Sequence, residues 1–215
     1  MTKVLVRNFS ISLDGYGAGP SQDLEHPLGV GGGQLHDWVF ATRSGNQMIG
    51  IEGGSEGLDD EFFSNRASGV GATIMGRNMF GPVRGPWGQS DWTGWWGEDP
   101  PFHHPVFVLT HHPRPPIEMQ GGTTFHFVEG GIEAALSAAF DVARDRDVLV
   151  AGGAATIRQF FGASLIDEMN LVIVPVLLGS GERLFGDLGP GTADYKCVEH
   201  VCSRAVTHVR IVRSR

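Results

Sequence analysis

Two adjacent glycines in the second half of the sequence have the context of a phosphate-binding turn. Gly152 and Gly153 follow the continuous apolar run Val148–Val150 and precede a predicted helix at residues 154–161. A buried strand that ends in glycines at a helix N-terminus directs free N–H groups at one point, which suits an anion such as a pyrophosphate. The alternative interpretation is a tight turn that serves only helix–strand packing.

Two further predicted strands end in residues that suit the same ligand. One strand runs into Gly76 and Arg77, and the other runs into Thr110 and His111. Ligands of open parallel sheets bind outside the carboxyl ends of the strands, so three such ends favour a dinucleotide. Arg77 suits the 2′-phosphate of NADP, because a guanidinium group binds phosphate through paired N–H donors.

The acidic residues Asp59, Asp60 and Glu61 lie in the first turn of a helix predicted over Leu58–Arg66. Acids at this position usually cap free N–H groups and complement the helix dipole. The residues alone therefore favour helix capping for all three.

An irregular segment at residues 81–105 carries four tryptophans, Trp87, Trp92, Trp95 and Trp96. One interpretation is that they close the flank of a core or form a dimer contact. The other is that they line a pocket for a flat ring. The sequence leaves both open.

Residues 101–117 contain four histidines and one arginine but no acid, which suits an anionic ligand. The histidines occur as adjacent pairs, whose side chains diverge on an extended chain, and no metal-binding spacing accompanies them. No metal site is expected.

The composition indicates one globular domain over residues 1–215, because 41% of the 215 residues are apolar. A net charge of −8 argues against nucleic-acid and membrane-surface partners, and no apolar run has the length of a membrane span. The N-terminus resembles a strand rather than a secretory signal, and the two cysteines are expected to be reduced. These features predict a cytoplasmic protein.

Strand and helix patterns alternate along the chain, as in proteins with a parallel sheet. The predicted strands are Lys3–Leu13, Ala72–Met75, Val106–Leu109, Thr123–Val128, 148–151 and Asn170–Leu178, followed by a hairpin at 195–203 and 205–213. The predicted helices are His36–Thr42, Leu58–Arg66, Ile132–Arg144 and Ala154–Phe161, and residues 14–35 and 44–57 are predicted to be loops.

Five motifs resemble the dihydrofolate reductase-like superfamily, in the branch that includes the reductase domain of bacterial riboflavin biosynthesis (the RibD C-terminal domain). They are ISLDG at 11–15, IMGRNMF at 74–80, VFVLTHHP at 106–113, DVLVAGGA at 147–154 and PVLLGSGERLF at 175–185. They follow the family's order along nearly the whole chain. The resemblance implies an α/β fold: a single three-layer domain with a central, mostly parallel mixed sheet, helices on both faces and a C-terminal antiparallel hairpin.

The resemblance also implies NADPH as the cofactor. Its adenosine phosphates would lie at the Gly76-Arg77 turn and at the strand end near residue 110, and its pyrophosphate and nicotinamide at the Gly152-Gly153 turn. The residues predicted to bind the cofactor are Gly76, Arg77, Asn78, Thr110, His111, Gly152, Gly153, Ala154 and Thr156.

Folate-reducing members of the superfamily carry an acid sixteen positions before the glycine of the Gly-Arg turn, which is Asp60 here. By this resemblance Asp60, or else Asp14, supplies or orients the proton that accompanies hydride transfer. Phe63, Trp87 and Trp92 are the predicted substrate-binding residues.

The predicted function is an NADPH-dependent reductase that transfers hydride to a C=N or C=C bond of a small heterocycle, pterin-like or aminopyrimidine-like. Folate reducers usually have threonine where this chain has Met79, which favours a substrate other than folate. Two alternatives remain: a non-catalytic nucleotide-binding or oligomeric scaffold protein of the same fold, and a reductase that uses a flavin. The predicted partners are the small-molecule substrate and, as an option that the sequence leaves open, a second copy of the chain in a homodimer.

Overall fold

A nine-stranded sheet organises the computed structural model of the chain, which describes residues 2–82, 84–88, 91–186, 188 and 194–214. The strand order is β4-β5-β3-β2-β6-β1-β7-β9-β8. The six strands from β5 to β7 in this order are parallel, while β4, β9 and β8 pair antiparallel at the two margins. The predicted mixed sheet and its C-terminal hairpin are therefore confirmed.

The described strands are β1 (Val4–Ser12), β2 (Val70–Gly76), β3 (Pro105–Leu109), β4 (Ile117–Glu118), β5 (Thr124–Val128), β6 (Asp147–Gly152), β7 (Glu168–Val174), β8 (Tyr195–Cys202) and β9 (Thr207–Arg213). The described α-helices are α1 (Asp37–Phe40), α2 (Arg43–Met48), α3 (Leu58–Ser64), α4 (Arg77–Phe80), α5 (Gly131–Ala143) and α6 (Ala154–Gly162). Short 3₁₀ helices cover Gly32–His36 and Gln120–Gly122.

One face of the sheet is closed by α5 and α6. Alternate residues of the central strands, such as Ile74, Val148 and Val150, point into this layer because side chains on a strand alternate between faces. They pack against Ala139 of α5 and Ile157 of α6, both of which are fully buried. The buried residues between the sheet and these two helices form the main hydrophobic core of the protein.

The other face is covered by two separate groups of elements. At one side, Trp38 of α1 and Phe63 of α3 pack on Val172 of β7. At the other side, Phe80 of α4 packs on Phe125 of β5, together with residues of the tryptophan-containing segment. Between these two groups, part of β2, β6 and β1 is left without a covering helix, and this opening positions the site.

The structure differs from the predicted elements in several places, among them the short strand β4, which was not predicted. The helix predicted over His36–Thr42 is shorter, and α2 lies in a stretch predicted to be a loop. The α2 helix begins there because Thr42 and the distant Asp60 accept hydrogen bonds from its first N–H groups. Strand β7 ends at Val174, directly before Pro175, which has no N–H to continue the ladder.

Among the described residues, no helix has the length and apolar character needed to cross a bilayer. Cys197 and Cys202 are free and exposed, and both lie on β8.

The C-terminal strand β9 is joined to α3 by a hydrogen bond between two side chains. The side chain of His208 is fully buried, and its Nε2 lies 2.8 Å from Oδ1 of Asp59. The imidazole also stacks on Phe62, with 4.0 Å between ring centroids, and meets Trp38 edge-on. Asp59 therefore holds the start of α3 against the sheet.

We expect the substitution Asp59→Ala to lower the free energy of unfolding by roughly 1–3 kcal/mol, because it leaves a buried imidazole without its partner. Urea denaturation of both proteins at pH 7 measures the difference. Glu61→Ala is the matched control, since Glu61 is exposed on the same turn and should change stability by less than about 0.5 kcal/mol. Equal effects of the two substitutions would contradict the assigned role of Asp59.

Candidate functional site

A cavity of about 870 Å³ lies over the uncovered middle of the sheet. Its floor comprises Thr73 of β2, Leu149 and Ala151 of β6, and Ser10 of β1. These strands are adjacent and parallel, so their residues form one continuous surface. The volume is within the range of sites for small ligands and cofactors.

At the carboxyl end of the strands, the cavity is bordered by the N-termini of two helices. Gly153 is the N-cap residue of α6, and residues 154–156 continue the lining. Gly130 and Gly131 hold the same position at the start of α5. The first N–H groups of a helix have no acceptor within the helix, so both helices present donors to this edge. The arrangement suits an anion.

Glycine is suited to Gly152, Gly76 and Gly153 at this edge for a different reason at each position. Gly152 has φ +139°, and a Cβ there would lie 3.1 Å from the ring of Phe9. A Cβ on Gly76 would overlap the hydroxyl of Thr156, because β2 approaches α6 closely at this point. Gly153 has an ordinary φ of −74°, and a Cβ there would meet nothing within 4 Å. Gly153 therefore keeps space open beside the cavity.

Arg77 faces the same edge from the end of β2. Its Nη1 donates to Thr110 Oγ1 at 2.9 Å and its Nη2 to the Gly85 carbonyl at 3.1 Å. The guanidinium also lies over the indole of Trp87, and Arg114 packs on that ring at 3.9 Å. Burial, and then the nearby charge of Arg114, lower the pKa of Arg77 from 12.5 to about 10. The side chain thus stays cationic at neutral pH.

The two arginines carry positive charge that no carboxylate balances. Within the described residues neither guanidinium forms an ion pair. The Nε atom of each guanidinium is buried and has no hydrogen-bond partner among those described residues. Arg77 lines the cavity. A phosphate group is an anion that fits beside it, because phosphate oxygens accept several charge-assisted hydrogen bonds.

Deeper in the cavity the walls are aromatic and apolar. Trp95, Trp96 and Phe102 line one side, and Phe63 lines the other with residues of α1 and α2. The Trp96 indole is edge-on to Phe102 and stacks on Phe125, so the wall is anchored to the core. The space between suits a flat ring.

The four tryptophans have two different environments. Trp87 packs on Phe80 and Phe127, and Trp92 donates its Nε1–H to the Phe80 carbonyl at 2.9 Å. Both residues belong to the core flank over β3 and β5, and neither is among the residues that line the cavity. Substrate contact by Trp87 and Trp92 stays a prediction, but the contacts favour Trp95 and Trp96.

The two predicted catalytic carboxylates lie outside the cavity lining. Asp60 accepts a hydrogen bond from Ser44 N at 2.7 Å and caps α2. Asp14 accepts hydrogen bonds from the Ser12 hydroxyl and from the N–H groups of Leu178 and Gly179. These bonds, that of Ser12 first, lower its pKa from 3.8 to about 2. Both sets of contacts stabilise the local structure, and a role of either carboxylate in proton transfer stays a prediction.

A histidine is hydrogen-bonded in the cavity floor. His104 Nε2 lies 2.7 Å from Thr73 Oγ1, and both residues line the cavity. Burial lowers the pKa of His104 from 6.5 to about 4, with smaller contributions from Arg146 and His103. The imidazole is therefore neutral at pH 7.

Comparison with known proteins decides the family. The sequence matches the RibD C-terminal domain family over residues 3–209, which is nearly the whole chain. The chain belongs to this family. The resemblance inferred from the five motifs is thereby confirmed.

A solved structure supports the fold of this RibD C-terminal domain. A protein of Shewanella sp. PV-4, provisionally named a riboflavin biosynthesis protein, superposes with a TM-score of 0.61 and 23% sequence identity, covering 100% of both chains. No curated protein matches the sequence significantly. Family membership indicates an oxidoreductase role, and the similarity to the Shewanella protein confirms the three-layer α/β fold.

The RibD C-terminal fold brings most of the predicted site residues to one cavity. Those that line it are Gly76, Arg77, Asn78, Thr110, His111, Gly153, Ala154, Thr156 and Phe63. Among the described residues, no group of three His, Cys, Asp or Glu side chains is arranged to hold a metal ion.

Two features of the cavity were missed in the sequence. Gly130 and Gly131 follow strand β5 and open α5, the same strand–glycine–helix pattern that identified Gly152 and Gly153. Glu182 is the one carboxylate among the described lining residues. Its backbone pairs with Gly17 and Ala18, a contact between segments far apart in sequence that no local pattern predicts.

Because the folded pKa of His104 is below the unfolded value, its contribution to stability is complete above pH 6.5 and is lost as the pH falls towards 4. We expect the free energy of unfolding to decrease less steeply between pH 7 and pH 4.5 in His104→Gln than in the wild type. Denaturation curves at several pH values measure the slopes. His36, whose pKa burial also lowers to about 4, is present in both proteins. Identical slopes would contradict a buried, neutral His104.

Proposed function

We propose that this protein is an NADPH-dependent reductase of a small nitrogen heterocycle. One observation carries the proposal: a single cavity connects an anion-binding edge, built from two helix N-termini and Arg77, with an aromatic chamber over the sheet. A dinucleotide has phosphates for the first part and a nicotinamide ring that reaches the second. Family membership supports the oxidoreductase role.

The residues of the edge fit the phosphates of NADPH. The free N–H groups of Ala154 and Ala155 at the start of α6 would hold the pyrophosphate, and Gly153 leaves the space that it needs. Arg77 would pair with the 2′-phosphate, which NADH lacks. When bound, NADPH supplies the hydride, and the protein positions the acceptor ring and delivers the proton to it.

The chamber fits a planar, polar ring that carries an anionic substituent. Trp95, Trp96 and Phe63 supply flat apolar surfaces. Arg7 and Arg66 also line the cavity, and Arg66 donates to the Phe63 carbonyl and lies over the Phe63 ring. Within the described residues neither arginine forms an ion pair, which favours a substrate with a phosphate or carboxylate group.

Glu182 is the proposed proton source of the reaction. It is the one carboxylate among the described residues that line the cavity, whereas Asp14 and Asp60 are engaged elsewhere. A carboxyl group at the cavity wall can orient or deliver, through water, the proton that follows hydride transfer.

Absorbance of reduced nicotinamide tests the function directly. Purified protein is incubated with NADPH and with pterins or aminopyrimidines, with and without a phosphate substituent, and the loss of absorbance is followed. We expect oxidation of NADPH with an aminopyrimidine, and a fall in kcat of roughly 10²–10⁴-fold in Glu182→Gln if it is the general acid. An unchanged kcat in that variant would contradict the role of Glu182.

A non-catalytic dinucleotide-binding protein is the second candidate, because neither predicted catalytic carboxylate faces the cavity. It predicts tight binding of NADPH with no oxidation by any heterocycle. The reductase proposal predicts turnover, so the same absorbance experiment separates the two.

We expect Arg77→Ala to weaken NADPH binding by roughly 1–3 kcal/mol, since a charge-assisted hydrogen bond to phosphate is lost. NADH binding should stay nearly constant, because it has no 2′-phosphate. Calorimetric titration of both cofactors measures the difference. Equal losses would show that Arg77 acts only through its contacts with Thr110 and Trp87.

We expect Gly153→Val to abolish NADPH binding while the protein still folds. The new side chain would meet no protein atom within 4 Å at its Cβ and would occupy the space assigned to the pyrophosphate. Gly162→Val, at the other end of α6 and equally free of neighbours, is the matched control. A folded Gly153→Val variant that binds NADPH as the wild type does would overturn the assignment.

A further inference from the structure

The hydrogen-bonded pair Thr73–His104 lies in the cavity floor, away from the anion-binding edge. Thr73 pairs with Leu149 of β6, whereas Met75, two residues later, pairs with Gly152. At about 3.3 Å per residue, Thr73 is therefore about 7 Å along the strand from the level of the glycine turn. This places the pair beneath the chamber rather than beside the phosphates.

The pair is buried, and one of its polar atoms has no protein partner. Thr73 is fully buried and His104 is 7% exposed. Thr73 occupies Nε2 of the imidazole, and within the part of the chain that the structure describes, Nδ1 has no hydrogen-bond partner. His104 Nδ1 is not among the described polar atoms that are enclosed by protein without a partner, so a ligand or water can reach it and form the hydrogen bond that the chain does not provide.

The neighbours of His104 keep it uncharged and hold it in place. Arg146 and His103 oppose its protonation, and burial does so more strongly. Phe102 lies against the imidazole, with 6.3 Å between centroids, and continues into the Trp96 wall. A neutral imidazole can donate or accept at Nδ1, because the Thr73 hydroxyl can either donate to Nε2 or accept from it.

We propose that Thr73–His104 is a specificity-determining pair that hydrogen-bonds the polar edge of the heterocyclic substrate through His104 Nδ1. The proposal rests on the proposed reductase function and specifies what its chamber recognises. Trp95 and Trp96 offer flat surfaces that any ring can occupy, whereas a buried hydrogen-bonding group rejects a ring that lacks the matching N–H or C=O group.

The test compares 5,6-diaminouracil with its 1,3-dimethyl derivative, in which both ring N–H groups are blocked. Calorimetric titration in the presence of NADP⁺ gives the ratio of their dissociation constants. We expect the wild type to prefer 5,6-diaminouracil and His104→Gln to lose roughly 3- to 10-fold of that preference, the effect of one hydrogen bond. Glutamine retains a group that can reach Thr73 but offers nothing at the position of Nδ1.

Two further variants complete the test. His103→Gln changes the adjacent exposed histidine and should keep the wild-type ratio. Thr73→Val removes the hydroxyl that orients the imidazole, and should lower the ratio to an intermediate value. It also provides an independent measurement if His104→Gln does not fold.

The outcomes separate this inference from the proposed function. If the wild type binds neither uracil, the reductase proposal for aminopyrimidines fails and this inference fails with it. If the wild type shows the preference and His104→Gln retains it, or weakens both ligands equally, His104 is a structural residue and only this inference is overturned.

Discussion

The parallel hydrogen-bonding register of β3, β2, β6 and β1 is the constraint on which the site depends. Gly76 pairs with Leu109 and Met75 pairs with Gly152, so the carboxyl ends of three strands stop at one level. Residues that follow those ends are therefore neighbours, as the 2.9 Å bond from Arg77 to Thr110 shows. An antiparallel arrangement would send these turns to opposite edges of the sheet.

The cavity exists because the open face of the sheet is covered from both sides but not in the middle. Each covering group has its own aromatic centre, Trp38 with Phe63 at one side and Phe80 with Phe125 at the other. The aromatic rings pack on one another within each group, and the space between the two groups is left open as the cavity. The residues between them include Thr73 and Ser10, which are polar and buried. The floor of the cavity therefore contains hydrogen-bonding groups as well as apolar surface.

Local patterns predicted most of the fold and most of the residues that meet at the carboxyl edge of the sheet, because a strand, its terminal glycine and the next helix are contiguous in sequence. The contacts of the carboxylates could not be predicted this way. Asp60 caps a helix that begins seventeen residues earlier, at Arg43, and Asp14 binds backbone groups near residue 178. The tryptophans were equally ambiguous, since only the folded structure shows that Trp95 and Trp96 line the cavity and that Trp87 and Trp92 do not.

The charges of the cavity connect ligand binding with stability. The chain has a net charge of −8, yet Arg77 and Arg114 share one indole. Each charge is partly removed from water, and their repulsion contributes to the lowered pKa of Arg77. A phosphate beside Arg77 would offset that repulsion with an attraction. It would also accept hydrogen bonds from N–H groups that have no partner within the chain. Because such a ligand binds only the folded state, its binding free energy adds to the stability of the sheet edge that forms the site.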